Sequence, residues 1–395
     1  MEKKMNYIMI SPHFPANFEM FSVRLDEAGI RVLGIADEPY DQLSPGLKSA
    51  LTEYYRVDDM NDYDQMYRAV AFFAHKYGKI DRIESHNEHW LVNDARLRTD
   101  FNVFGFKNKD INKIKYKSVM KEVLNEVGVA TARGRVVKDF DDAKSLADEL
   151  GYPIILKPDS GVGAGDTYKI YGETRLKEIF DESPKNLVYI MEEFIDADIV
   201  TYDGLTDQDG NIVFSSTLEH NKAILDILID HSDMFYWIPQ EIGEELEAVG
   251  RKCVKAFNIK ERFFHFEFFR SKEDQSIMAL EINCRPPGGV TIDMFNYAND
   301  IDIFKEYASV VKTNKFKAEI TRPYTVAYIA RQDHLRYLHD DNEIKEYLGD
   351  KVVWSNSVPG IFSELMGSLG YIVRATDEAG LFEAIEFVIA KEEDE

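Results

Sequence analysis

The sequence predicts a mixed α/β and α+β protein built from two or three domains. At 395 residues the chain is too long for a single small core. Its first part alternates strand-like and helix-like segments, its middle part mixes helices with paired strand-like runs, and its last part adds one more strand-like run and a final helix. These observations predict domains at residues 1–112, 113–318 and 319–395.

The first domain is predicted to be a parallel sheet with helices on its faces. YIMIS (7–11), VLGIAD (32–37) and IDRIES (80–85) have the pattern of strands, and EMFSVRLDEAG and YDQMYRAVAFFAHKYG that of helices. Such strand–helix–strand alternation is typical of parallel sheets, which bind ligands at the loops after their strands. Those loops are SPHFP, ADEPYD and SHNEHW. There is no GxGxxG motif, so a dinucleotide site is not supported.

The second domain begins with a subdomain at about 113–190. KSVMKEVLNEVGV is predicted to be a helix ending at Gly128, and DFDDAKSLADELG a second helix with Asp139 or Asp141 as its N-cap and Gly151 past its end. The strand-like runs RGRVV, YPIILK, TYKIY and LVYIMEEFI lie between and after these helices.

The next subdomain, at about 191–318, is predicted to hold two hairpins and a helix. DQDGN is a turn signal between two strand-like runs, IGEELEAVGRKCVKAFN is helical, and FFHFEFFRSKEDQSIMALEIN has the pattern of a second hairpin. From about residue 319, YTVAYIA and the helical EAGLFEAIEFVIAKE predict a small C-terminal unit.

Composition limits the classes of partner. A formal net charge of -24 argues against nucleic acid and membrane surfaces, because both polyanions would repel the chain. An anionic ligand would then need a local cluster of lysine and arginine, with a divalent metal. No run is as long and apolar as a membrane span, and the start lacks a signal-peptide pattern, so a cytoplasmic location is expected. Cys253 and Cys284 cannot form a disulfide framework.

The stretch YPIILKPDSGVGAGDTYKI places a lysine and three glycines beside one another. Gly161, Gly163 and Gly165 leave backbone N–H groups free to face an oxyanion, and Lys157 adds a positive charge at the end of an apolar strand. The spacing is not that of a P-loop. From the residues alone, a phosphate-binding loop and a glycine-rich hairpin both remain open.

A set of oxygen ligands is predicted on the hairpin HFEFF…ALEINCRPPGG. Glu281 and Asn283 lie on one strand face because they are two residues apart, and Glu267 joins them if the strands pair in an even residue-sum register. Carboxylates placed so close together need a cation or a shared proton, and an all-oxygen set suits Mg²⁺. The alternative is an exposed strand face on which each carboxylate pairs with a surface lysine.

Two further segments have both a functional and a structural interpretation. Arg285 precedes Pro286-Pro287 and two glycines, where a guanidinium could bind a carboxylate or a phosphate, or could form a structural salt bridge. MEEFI (191–195) ends an apolar strand, so its backbone could face an adenine edge, or it could be an ordinary loop. His220 could contact substrate, although a structural or surface role is the more common one.

Taken in order, these motifs resemble those of the ATP-grasp superfamily. The order is a helix lysine (Lys117), a strand lysine (Lys157), the glycine loop, MEEFI, HFEFF and EINCRPPGG. The resemblance covers residues 113–312 closely and is strongest to the carboxylate–amine ligases of the amino-acid ligase and carbamoyl-phosphate-synthase-like branch. It implies a Rossmann-like pre-ATP-grasp domain, a two-subdomain ATP-grasp fold and a small closing subdomain.

The resemblance also implies roles for individual residues. The lysines would hold the α- and β-phosphates, the glycines would cover the β- and γ-phosphates, and residues 192–195 would form the adenine hinge. The implied nucleotide-binding residues are Lys117, Lys157, Gly161, Gly163, Gly165, Glu192, Glu193, Phe194, Ile195 and Asp198, the implied metal ligands are Glu267, Glu281 and Asn283, and the implied catalytic residues are Lys157 and Arg285. Asp198 stands one residue closer to the hinge than the family's usual ribose-binding glutamate.

The implied activity is that of a ligase dependent on ATP and Mg²⁺ (or Mn²⁺). A small carboxylate attacks the γ-phosphorus to give an acyl phosphate, and an amine then displaces phosphate to form an amide. A mobile loop would protect the acyl phosphate from water. Two alternatives remain open: a phosphotransferase acting on a hydroxyl or histidine, and a non-catalytic ATP-binding regulatory protein. A homodimer is the commonest state for an enzyme of this size.

Overall fold

The computed structural model describes residues 4–161, 166–184, 187–222, 232–358 and 366–391. The strands are β1 (Asn6–Ile10), β2 (Arg31–Ala36), β3 (Glu53–Arg56), β4 (Arg82–Glu84), β5 (Gly134–Val137), β6 (Ile154–Pro158), β7 (Tyr168–Ile170), β8 (Tyr189–Glu193), β9 (Ala197–Thr206), β10 (Ile212–Ser216), β11 (Glu219–His220), β12 (Phe235–Ile238), β13 (Phe263–Ser271), β14 (Ile277–Asn283), β15 (Thr325–Arg331), β16 (Val352–Ser357) and β17 (Leu369–Ala375). The helices are α1 (Glu19–Glu27), α2 (Pro45–Ala50), α3 (Tyr63–Tyr77), α4 (Leu91–Asp100), α5 (Asn108–Lys115), α6 (Lys117–Glu126), α7 (Phe140–Leu150), α8 (Glu173–Glu182), α9 (Glu244–Phe257), α10 (Thr291–Asn299), α11 (Ile303–Thr313), α12 (Asp341–Leu348) and α13 (Glu378–Ile389).

The N-terminal sheet is parallel, with the strand order β3-β2-β1-β4. All five residues of β1 are buried, as expected for a strand covered by helices on both faces. One face packs with α3 around Val70 and Phe73, and the other packs with α1 and α11 around Phe21 and Tyr307. The parallel sheet that strand–helix alternation predicted is therefore confirmed.

A small antiparallel sheet, with the order β5-β8-β6-β7, carries helices α7 and α8. The Asp139 carboxylate accepts a hydrogen bond from the N–H of Asp142, so Asp139 rather than Asp141 is the N-cap of α7. Gly151 follows the helix with φ +79°, a conformation that favours glycine. This sheet positions Lys157 on β6 next to Glu192 on β8.

The largest sheet runs in the order β14-β13-β9-β11-β12-β15-β17-β16, with β10 paired to β9. The strands of the predicted C-terminal unit belong to it, because β15 pairs with β12 from Phe235↔Ile329 to Ile238↔Val326. Backbone hydrogen bonds thus join the last part of the chain, through β12, to the sheet that also contains the hairpin β13–β14. The domain boundaries stay predictions.

A buried ionic cluster connects the N-terminal sheet with the hairpin β13–β14. Glu84, at the end of β4, pairs with both Arg98 and Arg262, and all three residues are buried. Arg262 also donates a hydrogen bond of 2.8 Å from Nη1 to the backbone oxygen of Cys284. The cluster therefore holds the chain at Cys284, between Asn283 and Arg285.

None of the helices in these described ranges combines the length and the apolar character that crossing a bilayer requires.

Candidate active site

The hairpin β13–β14 brings the predicted metal ligands onto one face. Glu267 lies directly opposite Glu281, and His265 lies opposite Asn283, so the even residue-sum register holds at this end of the hairpin. The register then shifts at a bulge, because Phe268 pairs with Ala279. The other face is apolar and buried, which leaves the carboxylates and the amide to face a cleft between this hairpin, α6 and the loop after β4.

Helix α6 extends Lys117 toward these carboxylates. Its first turn is anchored by Asp159, which follows β6: Asp159 Oδ1 accepts from the N–H of Ser118 at 2.7 Å, and Oδ2 accepts from its hydroxyl at 2.8 Å. Lys117 Nζ lies 2.8 Å from Glu281 Oε1. Although burial lowers the pKa of Lys117, Glu281 outweighs this effect and raises it. The lysine is charged.

One turn later, Lys121 joins the predicted strand lysine at Glu192. Lys157 Nζ lies 2.7 Å from Glu192 Oε2, and Lys121 Nζ pairs with Glu192 Oε1. Burial raises the pKa of the Glu192 carboxyl, but the two ammonium groups outweigh burial and hold it below its usual range. Glu192 is therefore a buried carboxylate between two cations.

The predicted adenine hinge lies between β8 and β9. The N–H of Glu193 already donates to the backbone oxygen of Arg133 at 2.9 Å. The Glu193 carboxylate accepts a second hydrogen bond, of 2.7 Å, from Arg133 Nε. The Phe194 ring lies under Lys169, whose Nζ is 3.8 Å from the ring centre. Ile195 follows outside the strand.

The predicted ribose ligand lies next to an arginine. Asp198 sits opposite Arg270 in the β9–β13 pair, and its Oδ2 lies 3.8 Å from the guanidinium. Arg270 is held more closely by Glu219, at 2.7 Å. Half of the Asp198 side chain is exposed, so it remains accessible to a ligand.

Arg285 meets a carboxylate that comes from the N-terminal sheet. Glu88, in the loop after β4, has its Oε2 atom 3.3 Å from Arg285 Nε. Arg285 Nη1 also donates to the backbone oxygen of Pro286 at 2.9 Å. Burial raises the pKa of Glu88, and Arg285 only partly opposes this increase. Sequence reasoning singled out the loop SHNEHW but not this residue.

A histidine lies beside the predicted metal ligand Glu267. His265 Nδ1 is 2.6 Å from Asp203 Oδ1, and its Nε2 is 3.3 Å from Glu267 Oε1. Burial lowers the pKa of His265, but the two carboxylates outweigh it and raise the pKa to about 9. His265 could have been found from its period-2 spacing to Glu267. Asp203 could not, because its strand pairing is long-range.

Lys121 could also have been found, because it is four residues after Lys117 on one helix face.

The structure brings the predicted site residues together in two groups. One end of the cleft holds Lys117, Glu267, Glu281, Asn283 and Arg285, and the other end holds Lys157 with Glu192. Gly161 is exposed, with room for a side chain. Gly163 and Gly165 lie outside the described residues.

The donor set suits a hard cation held by few protein ligands. Among the described residues, no group of three His, Cys, Asp or Glu side chains is placed to hold a metal ion. The predicted set, Glu267, Glu281 and Asn283, would offer a metal two carboxylates and one amide oxygen. Asn283 is buried, and its Nδ2 has no hydrogen-bond partner within the described ranges. Mg²⁺ fits such a set, since it typically uses one or two carboxylates plus water and substrate phosphates.

Comparison with known proteins identifies the family of one domain and several relatives. Residues 150–293 match the sequence profile of the ATP-grasp domain family. The chain is similar to the L-arginine-specific L-amino acid ligase of Bacillus subtilis, with 25% identity over 264 residues, 65% of this chain and 63% of that protein. It is also similar to the carbamoyl phosphate synthase large chain of Methanothermobacter thermautotrophicus, with 22% identity over 221 residues, 54% of this chain and 21% of that protein. The chain therefore spans less than two thirds of the length of both relatives.

Among solved structures, an L-amino acid ligase from Bacillus licheniformis superimposes with a TM-score of 0.75 at 16% identity, covering 98% of this chain and 97% of that one. The chain thus contains an ATP-grasp domain and has the fold of ATP-grasp proteins, as the order of the motifs predicted.

Proposed function

We propose that this chain, which contains an ATP-grasp domain, is an ATP- and magnesium-dependent ligase that couples a small carboxylate to an amine. The observation that carries the proposal is the arrangement at one end of the cleft: Glu267 opposite Glu281, with Asn283 beside them and the cations Lys117 and Arg285 next to them. Phosphoryl transfer requires fixed positive charge around the transferred group, and this arrangement supplies it.

Two ends of the cleft would take different parts of the nucleotide. The backbone of residues 193–195 would receive the adenine, apart from the N–H groups of Glu193 and Phe194, which already donate to backbone oxygens. Lys157 would hold the inner phosphates. Lys157 is buried and its ammonium is oriented by Glu192, so it loses little side-chain entropy on binding a phosphate. Lys117 would turn from Glu281 to the phosphates.

Glu267, Glu281 and Asn283 would hold magnesium, which when bound would neutralise the charge on the terminal phosphates. His265 would keep Glu267 in position through its Nε2 atom. Arg285 would orient either the transferred phosphoryl group or the substrate carboxylate, because a guanidinium can bind both in a bidentate manner.

The chemistry proceeds in two steps. A carboxylate oxygen of the acid attacks the γ-phosphorus, the bond from that phosphorus to the bridging oxygen breaks, and ADP leaves. The amine nitrogen then attacks the acyl carbon, and the bond from that carbon to the phosphorylated oxygen breaks to release phosphate. No side-chain nucleophile is needed, in keeping with burial of Cys284, which raises the pKa of its thiol to about 12.

Phosphate release from ATP, measured with pairs of amino acids, tests the proposal. Amino acids are the first substrates to try because the similar Bacillus subtilis protein is an L-amino acid ligase. We expect release to require both an acid and an amine, and Glu281→Gln to abolish it. A phosphotransferase would consume ATP without releasing phosphate, and a regulatory protein would bind ATP without turnover. Either result would contradict ligation.

A further inference from the structure

Glu88 is the carboxylate of the cleft to which the proposed function gives no task. It comes from the N-terminal sheet, in the loop after β4, and 13% of its side chain is exposed. Its Oε2 atom is buried and accepts no hydrogen bond from the residues that the structure describes, although Arg285 Nε is 3.3 Å away. A buried carboxylate oxygen without a donor is costly, so a ligand that donates a hydrogen bond would be favoured there.

The other carboxylates nearby are already committed. Glu267 and Glu281 are the proposed metal ligands, and Glu84 is paired with two arginines. The charged groups close enough to change the pKa of Glu88 are Arg285, Glu281, Lys117 and Arg262. Glu88 therefore stands at the phosphate end of the cleft, beside the guanidinium proposed to orient the acyl phosphate.

The nearby histidines are poor candidates for accepting a proton. His265 faces Asp203 with one ring nitrogen and Glu267 with the other, so both nitrogens act as donors between carboxylates. His86 is buried against the Phe21 ring, with ring centres 4.1 Å apart, and its Nε2 lies 3.4 Å from the hydroxyl of Tyr7. Neither of these two histidines has a free nitrogen that faces the reacting end of the cleft, and His220, whose Nδ1 has no partner among the described residues, lies near Glu267 rather than near Arg285.

We propose that Glu88 receives the amine substrate, accepting a hydrogen bond from its ammonium group and then taking one of its protons. This inference rests on the proposed ligase function. An alkyl ammonium has no lone pair, so it must lose one proton, to the Glu88 carboxylate, before its nitrogen can form the bond to the acyl carbon. The second proton leaves the nitrogen as the bond to the phosphorylated oxygen breaks, and it departs with the released phosphate.

Hydroxylamine provides a direct test, because it is already unprotonated at neutral pH and needs no base. In Glu88→Gln, we expect kcat/KM for an amino-acid amine to fall by about 10²- to 10⁴-fold. Trapping of the acyl phosphate by hydroxylamine, measured as hydroxamate, should stay within a few fold of wild type. Glu122→Gln, an exposed glutamate on α6, is the matched control and should match wild type with both nucleophiles.

Three results separate the inference from its alternatives. Equal losses with the amine and hydroxylamine would show that Glu88 only positions Arg285, and no loss with either would show that it has no role; both overturn the inference. ADP affinity and the melting temperature of Glu88→Gln, which we expect to be unchanged, exclude misfolding as the cause of a loss. Wild-type enzyme that forms no hydroxamate with any amino acid would instead contradict the proposed function itself.

Discussion

The ammonium of Lys117 lies 2.8 Å from a carboxylate oxygen of Glu281, so a predicted phosphate ligand pairs directly with a predicted metal ligand. Each partner neutralises the charge of the other. A cation binding to Glu281 must displace the lysine, and a phosphate is the natural group to receive it. Metal and nucleotide are therefore expected to bind together.

Replacing Lys117 with Met should separate these two effects. Without nucleotide, Mn²⁺ should bind at least about tenfold more tightly, because a unit charge at this range contributes several kcal/mol before desolvation. ADP should bind about 10- to 100-fold more weakly, since one charged hydrogen bond is lost. Electron paramagnetic resonance of free Mn²⁺ measures the metal affinity, and titration calorimetry with ADP measures the nucleotide affinity. Lys252→Met, on the exposed face of α9, is the control; unchanged Mn²⁺ affinity in Lys117→Met would contradict the pairing argument.

Glu281→Gln should remove turnover while preserving the fold. Loss of one charged ligand at the reacting phosphate should lower kcat by at least about 10²- to 10³-fold. The melting temperature should fall only modestly, because the substitution creates no cavity and Glu88 and Glu267 still attract the Lys117 ammonium. Glu273→Gln, in the exposed turn of the same hairpin, should be fully active. An active Glu281→Gln enzyme would refute the metal assignment.

Glu192→Gln should destabilise the protein strongly at neutral pH. The substitution leaves the buried Lys157 ammonium and its neighbour Lys121 without their carboxylate, which typically costs about 3–5 kcal/mol of unfolding free energy. Glu193→Gln is the matched control, because Glu193 pairs with a largely exposed arginine and should lose about 1 kcal/mol or less. Urea unfolding measures both; equal effects would show that the two lysines do not depend on Glu192.

The same pair predicts a pH dependence. Because the lysines hold the pKa of Glu192 below its ordinary value of 4.5, the carboxylate's contribution to stability is complete above about pH 4.5 and is lost as the pH falls below it. The difference in unfolding free energy between wild type and Glu192→Gln should therefore shrink in acid. A difference that stays constant down to the acid-unfolding range would contradict this assignment.

Gly250→Ala should destabilise the contact between α9 and β9. A Cβ atom at this position would lie 2.1 Å from a ring atom of Tyr202, which is fully buried. We expect a loss of about 1–3 kcal/mol in spite of the better helix propensity of alanine. Gly380→Ala in α13 is the control, because a Cβ there meets only ordinary contacts of 3.4 Å or more and should be neutral or slightly stabilising. Equal stability of the two variants, again measured by urea unfolding, would show that the helix can shift away from Tyr202.

Much of the candidate site follows from local periodicity. Glu281 and Asn283 share a face because side chains alternate along a strand, and one assumption about register was enough to add Glu267. The helix that carries Lys117 was recognisable from its pattern and from Gly128 beyond its end, which has φ +70°. In these cases the residues that decide the geometry are close in sequence, or are joined by a short turn.

Other relationships depend on parts of the chain that are distant in sequence. The contact of Glu88 with Arg285 requires the N-terminal sheet to lie against the hairpin, and the contact of His265 with Asp203 requires β9 to pair with β13. The joining of β15 to β12 is of the same kind. None of these has a periodicity that a sequence window could detect.

By itself, the sequence determined many of the strands and helices and the side chains that can share a face, because these depend on backbone geometry over a few residues. The tertiary structure alone decided which charges meet across elements: Glu192 between Lys121 and Lys157, and Glu88 beside Arg285. Long-range packing brings these groups within a few ångströms of one another. At that distance burial and Coulomb energy, rather than local propensity, set their partners and their pKa values.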